Sequence, residues 1–160
     1  GSGTIIDDNV RIQSLSKNSI KIGFSCRVGY NSDLQTGLML DDPCGYIEFE
    51  NNVGIGPFSH LGGAGGIIIR KNTIIGPYFS AHSENHLYSD KNKLIRLQGV
   101  SRKGIEIGEN CWIGSKVTIL DGVTLGNNTI VAAGSVVTKS FEGNMIIAGI
   151  PAKIFKRINE

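Results

Sequence analysis

From Ile107 onward the chain sets an aliphatic residue at every sixth position, in the units IGENCW, IGSKVT, ILDGVT, LGNNTI, VAAGSV and VTKSFE. A second, mostly smaller series follows four places later, at Cys111, Val117, Val123, Thr129 and Ser135. Helices repeat about every 3.6 residues and ordinary strands every two, so neither explains this spacing. Six-residue units suit short parallel strands joined by tight bends, three units to each triangular coil, with Gly and Asn supplying the bends. The same period appears upstream in IGFSCR and VGYNSD from Ile22, FENNVG, IGPFSH and LGGAGG from Phe49, and IRKNTI and IGPYFS from Ile69. The pattern predicts one all-β domain over residues 4–160, a parallel β-helix whose coils bond to one another.

Two breaks mark where loops leave the coil. One is LDDPCGY, residues 40–46; the other runs from about 81 to 103. A detour of that length brings little packing in return for its ordering entropy, which points to function. It carries His82 and His86, two of the chain's three histidines, beside Glu84, Asn85 and Tyr88. In the tail, residues 144–160, Pro151 is placed to start a helix, and Ile150, Ile154, Phe155 and Ile158 are spaced to form one apolar face. A short C-terminal helix covering the coil's end or flank is expected. The leading Gly1–Gly3 reads as a cloning scar, which leaves open a native segment ahead of it.

Composition narrows the partners. Sixteen basic and fourteen acidic residues give a net charge of +2, which argues against a general nucleic-acid binder. Cys26, Cys44 and Cys111 lack any metal-ligand spacing, and an odd count favours reduced thiols and a cytoplasmic location. No apolar run approaches the ~20 residues a spanning helix needs, so any membrane role would be peripheral. The glycines from Gly62 to Gly66 lack the spacing of a phosphate loop and read as bends.

The repeats, together with WIGSKVTIL, AAGSVVTKS and AGIPAKIFKRI, resemble the left-handed β-helix (hexapeptide-repeat) acetyltransferases, and among them galactoside, maltose and polysaccharide O-acetyltransferases most. The resemblance implies a left-handed coil, a homotrimer with active sites between subunits, acetyl-CoA as co-substrate and a sugar acceptor. It places His86 at the family's general base, a role an imidazole can fill by taking a sugar hydroxyl's proton during attack on a thioester. Glu84 or a loop carbonyl would hold its other ring nitrogen, and Asn85, Tyr88, His60 and His82 are candidate acceptor contacts. A backbone N–H near Ser115 would face the developing oxyanion. The same likeness sets Trp112, Ser115, Ala133, Thr138 and Lys139 along the pantetheine arm, Lys139, Lys153, Lys156 and Arg157 near the coenzyme phosphates, and Pro151 near the adenine. Trp112, just before the inward Ile113, should face outward. One departure concerns the acceptor: HLGGAGG, residues 60–66, lacks the acidic or amide side chains that related sugar acetyltransferases place there.

Rival readings stay open at this point. N-acetylation of an amino sugar or nucleotide amino sugar is an alternative within the class. A γ-class carbonic anhydrase-like zinc lyase would use the three histidines as ligands, whereas the acetyltransferase reading needs no metal. A non-enzymatic scaffold is the third.

Overall fold

A computed structural model describes residues 1–16, 19–37 and 44–158. Short strands stack into a three-faced parallel β-helix. The first face includes Gly54–Ile55, Ile74–Ile75, Trp112–Ile113, Ile130–Val131 and Met145–Gly149. The second includes Arg11–Gln13, Asp33–Gln35, His60–Gly62, Ser80–His82, Thr118–Leu120 and Val136–Val137. Ile47–Phe49, Ile67–Ile69, Ile105–Ile107 and Thr124–Leu125 lie on the third.

The six-residue period sets the register. Asn110 bonds to Asn128, 18 positions on, so one C-terminal coil is three units. The coil that joins Asn52 to Asn72 takes 20 residues, and the two extra residues widen the corner at the glycine cluster. Both predicted inward series are buried, from Ile107, Ile113 and Ile119 to Cys111, Val117 and Ser135. Buried hydroxyls satisfy corner carbonyls: Thr73 Oγ1 donates to Gly108 O at 2.8 Å and Thr129 Oγ1 to Gly126 O at 2.7 Å.

Between the third and first faces the bend residue is Asn in every described coil from Asn52 upward: Asn52, Asn72, Asn110, Asn128 and Asn144 all have φ between 54° and 61°. Asn tolerates this left-handed conformation better than most side chains. The amides also bond along the column, Asn110 to Asn128 at 2.7 Å and Asn128 to Asn144 at 2.8 Å.

The C-terminal helix expected from Pro151 does not form. Ala152–Arg157 is a strand, antiparallel to Met145–Gly149 at the end of the first face. The preceding strand offers an open edge of N–H and C=O groups, and folding back across Gly149–Pro151 pairs them. Ile154 sits opposite Ile147 in that ladder, and Ile150 and Phe155 remain exposed instead of forming a packed face.

The long excursion starts later than its sequence suggests. Ala81 is buried, His82 pairs with Gly62 and Leu120, and Ser83 is buried, so the chain leaves only after Ser83. It makes an antiparallel hairpin, Asn85–His86 against Val100–Ser101, with a 3-10 turn at Ile95–Leu97 in its arm. Gln98 ties the arm together, donating to Asp90 O at 2.9 Å and Lys93 O at 2.8 Å. The first predicted break falls largely at 40–43, outside the described residues. Gly1 and Ser2, read as a scar, lie on the first coil, where the Gly1 amino group donates to Ile22 O and Ser2 O accepts from Ser25 N.

Candidate functional site

Three groups of predicted residues occupy distinct parts of the prism. His86 rides on the hairpin, opposite Val100 and exposed. Its ring makes no hydrogen bond among the described residues, so the nitrogens stay available to a ligand. The neighbouring Glu84 Oε2 accepts from Arg102 Nε at 2.6 Å, and no bond links Glu84 to His86 among the described residues. That carboxylate braces the base of the hairpin. Asn85 pairs with Ser101, and Tyr88 lies exposed beyond His86.

His60 and His82 stay on the second face, one coil apart, with ring centroids 5.5 Å from each other. His82 Nε2 meets Ser80 Oγ at 2.7 Å. Burial of its ring, reinforced by His60, holds His82 below the ordinary histidine value. His60 Nδ1 lies 3.4 Å from Asp33 Oδ2, and Asp33 is clasped in two bonds by Arg11, at 2.9 and 2.7 Å. Those bonds hold the Asp33 carboxyl below its usual range. Sequence reasoning missed Asp33: the break in the repeat read at 40–46 hides its register with His60, although both sit at equivalent points of the repeat. Gly62 leaves a notch between Gln35 and His82, and a Cβ there would lie 3.3 Å from His60 Nε2. A carboxylate, that of Asp33, thus stands on this face one coil below HLGGAGG. No group of three or more His, Cys, Asp or Glu side chains converges as a metal-ligand set among the described residues.

The third group splits between two corners. Trp112 points outward from the first face, 57% exposed. Ser115 and Ala133 follow at the corner between the first and second faces, where Ser115 O accepts from Gly134 N at 2.8 Å. The Ser115 N–H has no acceptor among the described residues, which suits it to an incoming oxyanion. Thr138 and Lys139 lie at the opposite edge of the second face. There Lys139, Lys153 and Arg157 line an open groove of about 560 Å³ with Phe141, Met145 and Ile154, and with Ser140 and one carboxylate, Glu142. Three cations against one carboxylate, around apolar side chains, fit a group that carries phosphates on an apolar or heterocyclic body. The C-terminal strand builds this groove, placing Lys153 opposite Ala148 and Arg157 opposite Met145, with Pro151 in the connecting turn. Lys156 pairs with Ile146 and is absent from the lining.

Residues 104–139 match the family model described as bacterial transferase hexapeptide (six repeats). The chain is 31% identical over 158 residues to the putative lipopolysaccharide biosynthesis O-acetyl transferase WbbJ of Escherichia coli, covering 94% of this chain and 79% of that protein. It is 48% identical to the galactoside O-acetyltransferase of the same organism over 56 residues, 35% of this chain and 28% of that one. Among solved structures, the maltose O-acetyltransferase from Clostridium difficile matches with a TM-score of 0.56 at 25% identity, over 92% of this chain and 70% of that one. AntD, an N-acyltransferase from Bacillus cereus solved with dTDP and 3-hydroxybutyryl-CoA, matches with a TM-score of 0.73 at 19% identity, over 99% and 85%, and attests the fold. The architecture is the expected left-handed β-helix. With a WbbJ likeness that runs through nearly the whole chain, the protein belongs to the hexapeptide-repeat acetyltransferase family.

Proposed function

We propose that the protein transfers an acetyl group from acetyl-CoA to a sugar hydroxyl, on a polysaccharide precursor or small glycoside, by direct attack with His86 as general base. The observation that carries this reading is the hairpin. It lifts one histidine of three off the coil, exposed and without a hydrogen-bond partner among the described residues, while the other two are held on the second face. In the reaction His86 takes the acceptor hydroxyl's proton as the oxygen bonds to the thioester carbon. Negative charge gathers on the carbonyl oxygen, toward which the Ser115 N–H donates. The C–S bond then breaks, and the proton held by His86 leaves with the thiol. Glu84 acts through Arg102 as a positioning residue for the hairpin.

Lys139, Lys153 and Arg157 hold the coenzyme phosphates in the C-terminal groove, and Trp112, Ser115, Ala133 and Thr138 border its pantetheine arm. Ser115 and Lys139 lie on opposite edges of one face, so edges from two neighbouring copies supply the site most simply, as in a homotrimer. Asn85, Tyr88, His60 and His82 are the acceptor-side contacts. Thiol release from acetyl-CoA, measured against sugars, amino sugars and nucleotide sugars, tests the proposal. The reading predicts an O-acetylated product whose formation His86→Ala abolishes. A product acetylated on nitrogen would move the assignment to amino sugars, and equal rates in wild type and His86→Ala would remove the proposed base.

A further inference from the structure

The corner between the first and second faces carries a feature that the bend does not require. Phe58 and Tyr78 occupy its bend position in successive coils, with φ of 57° and 59°. Left-handed backbone is costly for a bulky side chain. The Asn column at the other edge of the first face shows how this chain solves the same bend when only the bend matters. Here the rings form a strip instead. Phe58 and Tyr78 stack with centroids 5.0 Å apart and planes within 5°, and Tyr30 meets Phe58 edge-on at 5.2 Å. All three remain open to solvent, Tyr30 at 46%, Phe58 at 40% and Tyr78 at 52%.

The strip is continuous with the site. Backbone bonds run up one corner: Phe58 N donates to Tyr30 O, Tyr78 N to Pro57 O, Lys116 N to Pro77 O and Gly134 N to Ser115 O. The aromatic rings therefore descend, one per coil, from the corner that bears Ser115. Lys116 Nζ caps the Tyr78 ring at 6.0 Å. At the foot, beside Tyr30, lies an open cavity of about 460 Å³ lined also by Ile6, Asp7, Asp8 and Asn9, in which Asp7 already accepts from Arg27 at 3.0 Å.

We infer that this column is an acceptor subsite for a saccharide of several rings, whose C–H faces lie on the aromatic strip and whose hydroxyls donate to the Asp8 carboxylate at its foot. The inference rests on the O-acetyltransferase reading. A narrow apolar strip ending in acceptor oxygens matches a sugar chain, which presents C–H and O–H groups together. An anionic lipid surface would be repelled by Asp8, the charge of Asp7 being matched by Arg27.

The test compares wild type with Phe58→Asn/Tyr78→Asn, since Asn suits the left-handed bend and preserves the coil. Acetyl-CoA is offered with the monosaccharides and trisaccharides of glucose, galactose and N-acetylglucosamine. In the variant, the ratio of kcat/KM for a trisaccharide to that for its monosaccharide should fall about tenfold, the combined loss of two aromatic contacts. The KM for acetyl-CoA should hold, and the thermal midpoint should hold or rise. An unchanged ratio overturns the subsite. Dissociation of the variant's assembly in light scattering would also overturn it, by assigning the column to a subunit interface. Absence of thiol release by wild type with every saccharide would remove the sugar-acceptor reading, and the subsite with it.

Discussion

Arg102 Nε and Glu84 Oε2, 2.6 Å apart, join the outgoing and returning strands of the excursion where they leave the coil. Both side chains are partly shielded, at 26% and 31% exposure, so the pair is worth more for geometry than for global stability. Arg102→Leu should lower kcat about tenfold while KM for acetyl-CoA stays within about twofold, because the hairpin that aims His86 loosens. Glu84→Gln, which keeps an acceptor oxygen for Arg102, should lose less. Steady-state kinetics check both; a loss in Arg102→Leu seen wholly in the acetyl-CoA KM would contradict the positioning role.

His82 gives a pH dependence of stability. Its folded value lies below the unfolded 6.5, so in the window below 6.5 the unfolded chain binds more protons and stability is lost as the pH is lowered. The groups facing it are His60, Ser80, Gly62 and Leu120, with Asp33 beyond His60. Asp33, depressed by Arg11, loses its contribution only as pH falls below about 3.8, outside this window. Between pH 7 and pH 5 the thermal midpoint of His82→Gln should therefore fall less than that of wild type. Parallel curves would exclude His82 as the source.

The Asn column predicts a measurable local cost. Asn110→Ala loses the 2.7 Å bond to Asn128 and puts a less tolerant residue at φ 54°, for a destabilisation of about 1–2 kcal/mol in urea unfolding. Asn110→Gly, free of the backbone penalty, should cost less. Equal losses in the two variants would assign the whole effect to the side-chain bond.

The C-terminal groove predicts a binding defect separate from catalysis. Arg157→Ala and Lys139→Ala should each raise KM for acetyl-CoA roughly five- to twentyfold, with kcat changed far less. The wild-type KM should rise with salt more steeply than either variant's. A fall in kcat at constant KM would move these cations out of the coenzyme site.

How much of this was legible in the sequence follows from where the repeat holds. Ile113, Val117 and Ile119 mark coil positions because each coil buries the same two kinds of side chain, so their burial follows from spacing alone. Pro151 and the apolar residues around it misled, since a helix start and a hairpin turn use proline alike. The open edge of Met145–Gly149, which decides between them, is visible only in three dimensions. The proposal of His86 rests on motif likeness. The approach of Asp33 to His60 escapes the sequence, because it depends on a register hidden by an interruption in the repeat. The aromatic column was likewise invisible in IGPFSH and IGPYFS, where Phe58 and Tyr78 look like ordinary loop residues until stacked coils bring them to 5.0 Å.

The central claim is that His86, carried on the hairpin, removes the acceptor's proton. The most direct measurement pairs single-turnover acetyl transfer with calorimetric binding of acetyl-CoA, for wild type and His86→Ala. The account predicts a transfer rate lower by about 10²–10⁴ in the variant, with coenzyme affinity within about twofold of wild type. A variant that transfers acetyl groups at the wild-type rate would contradict it.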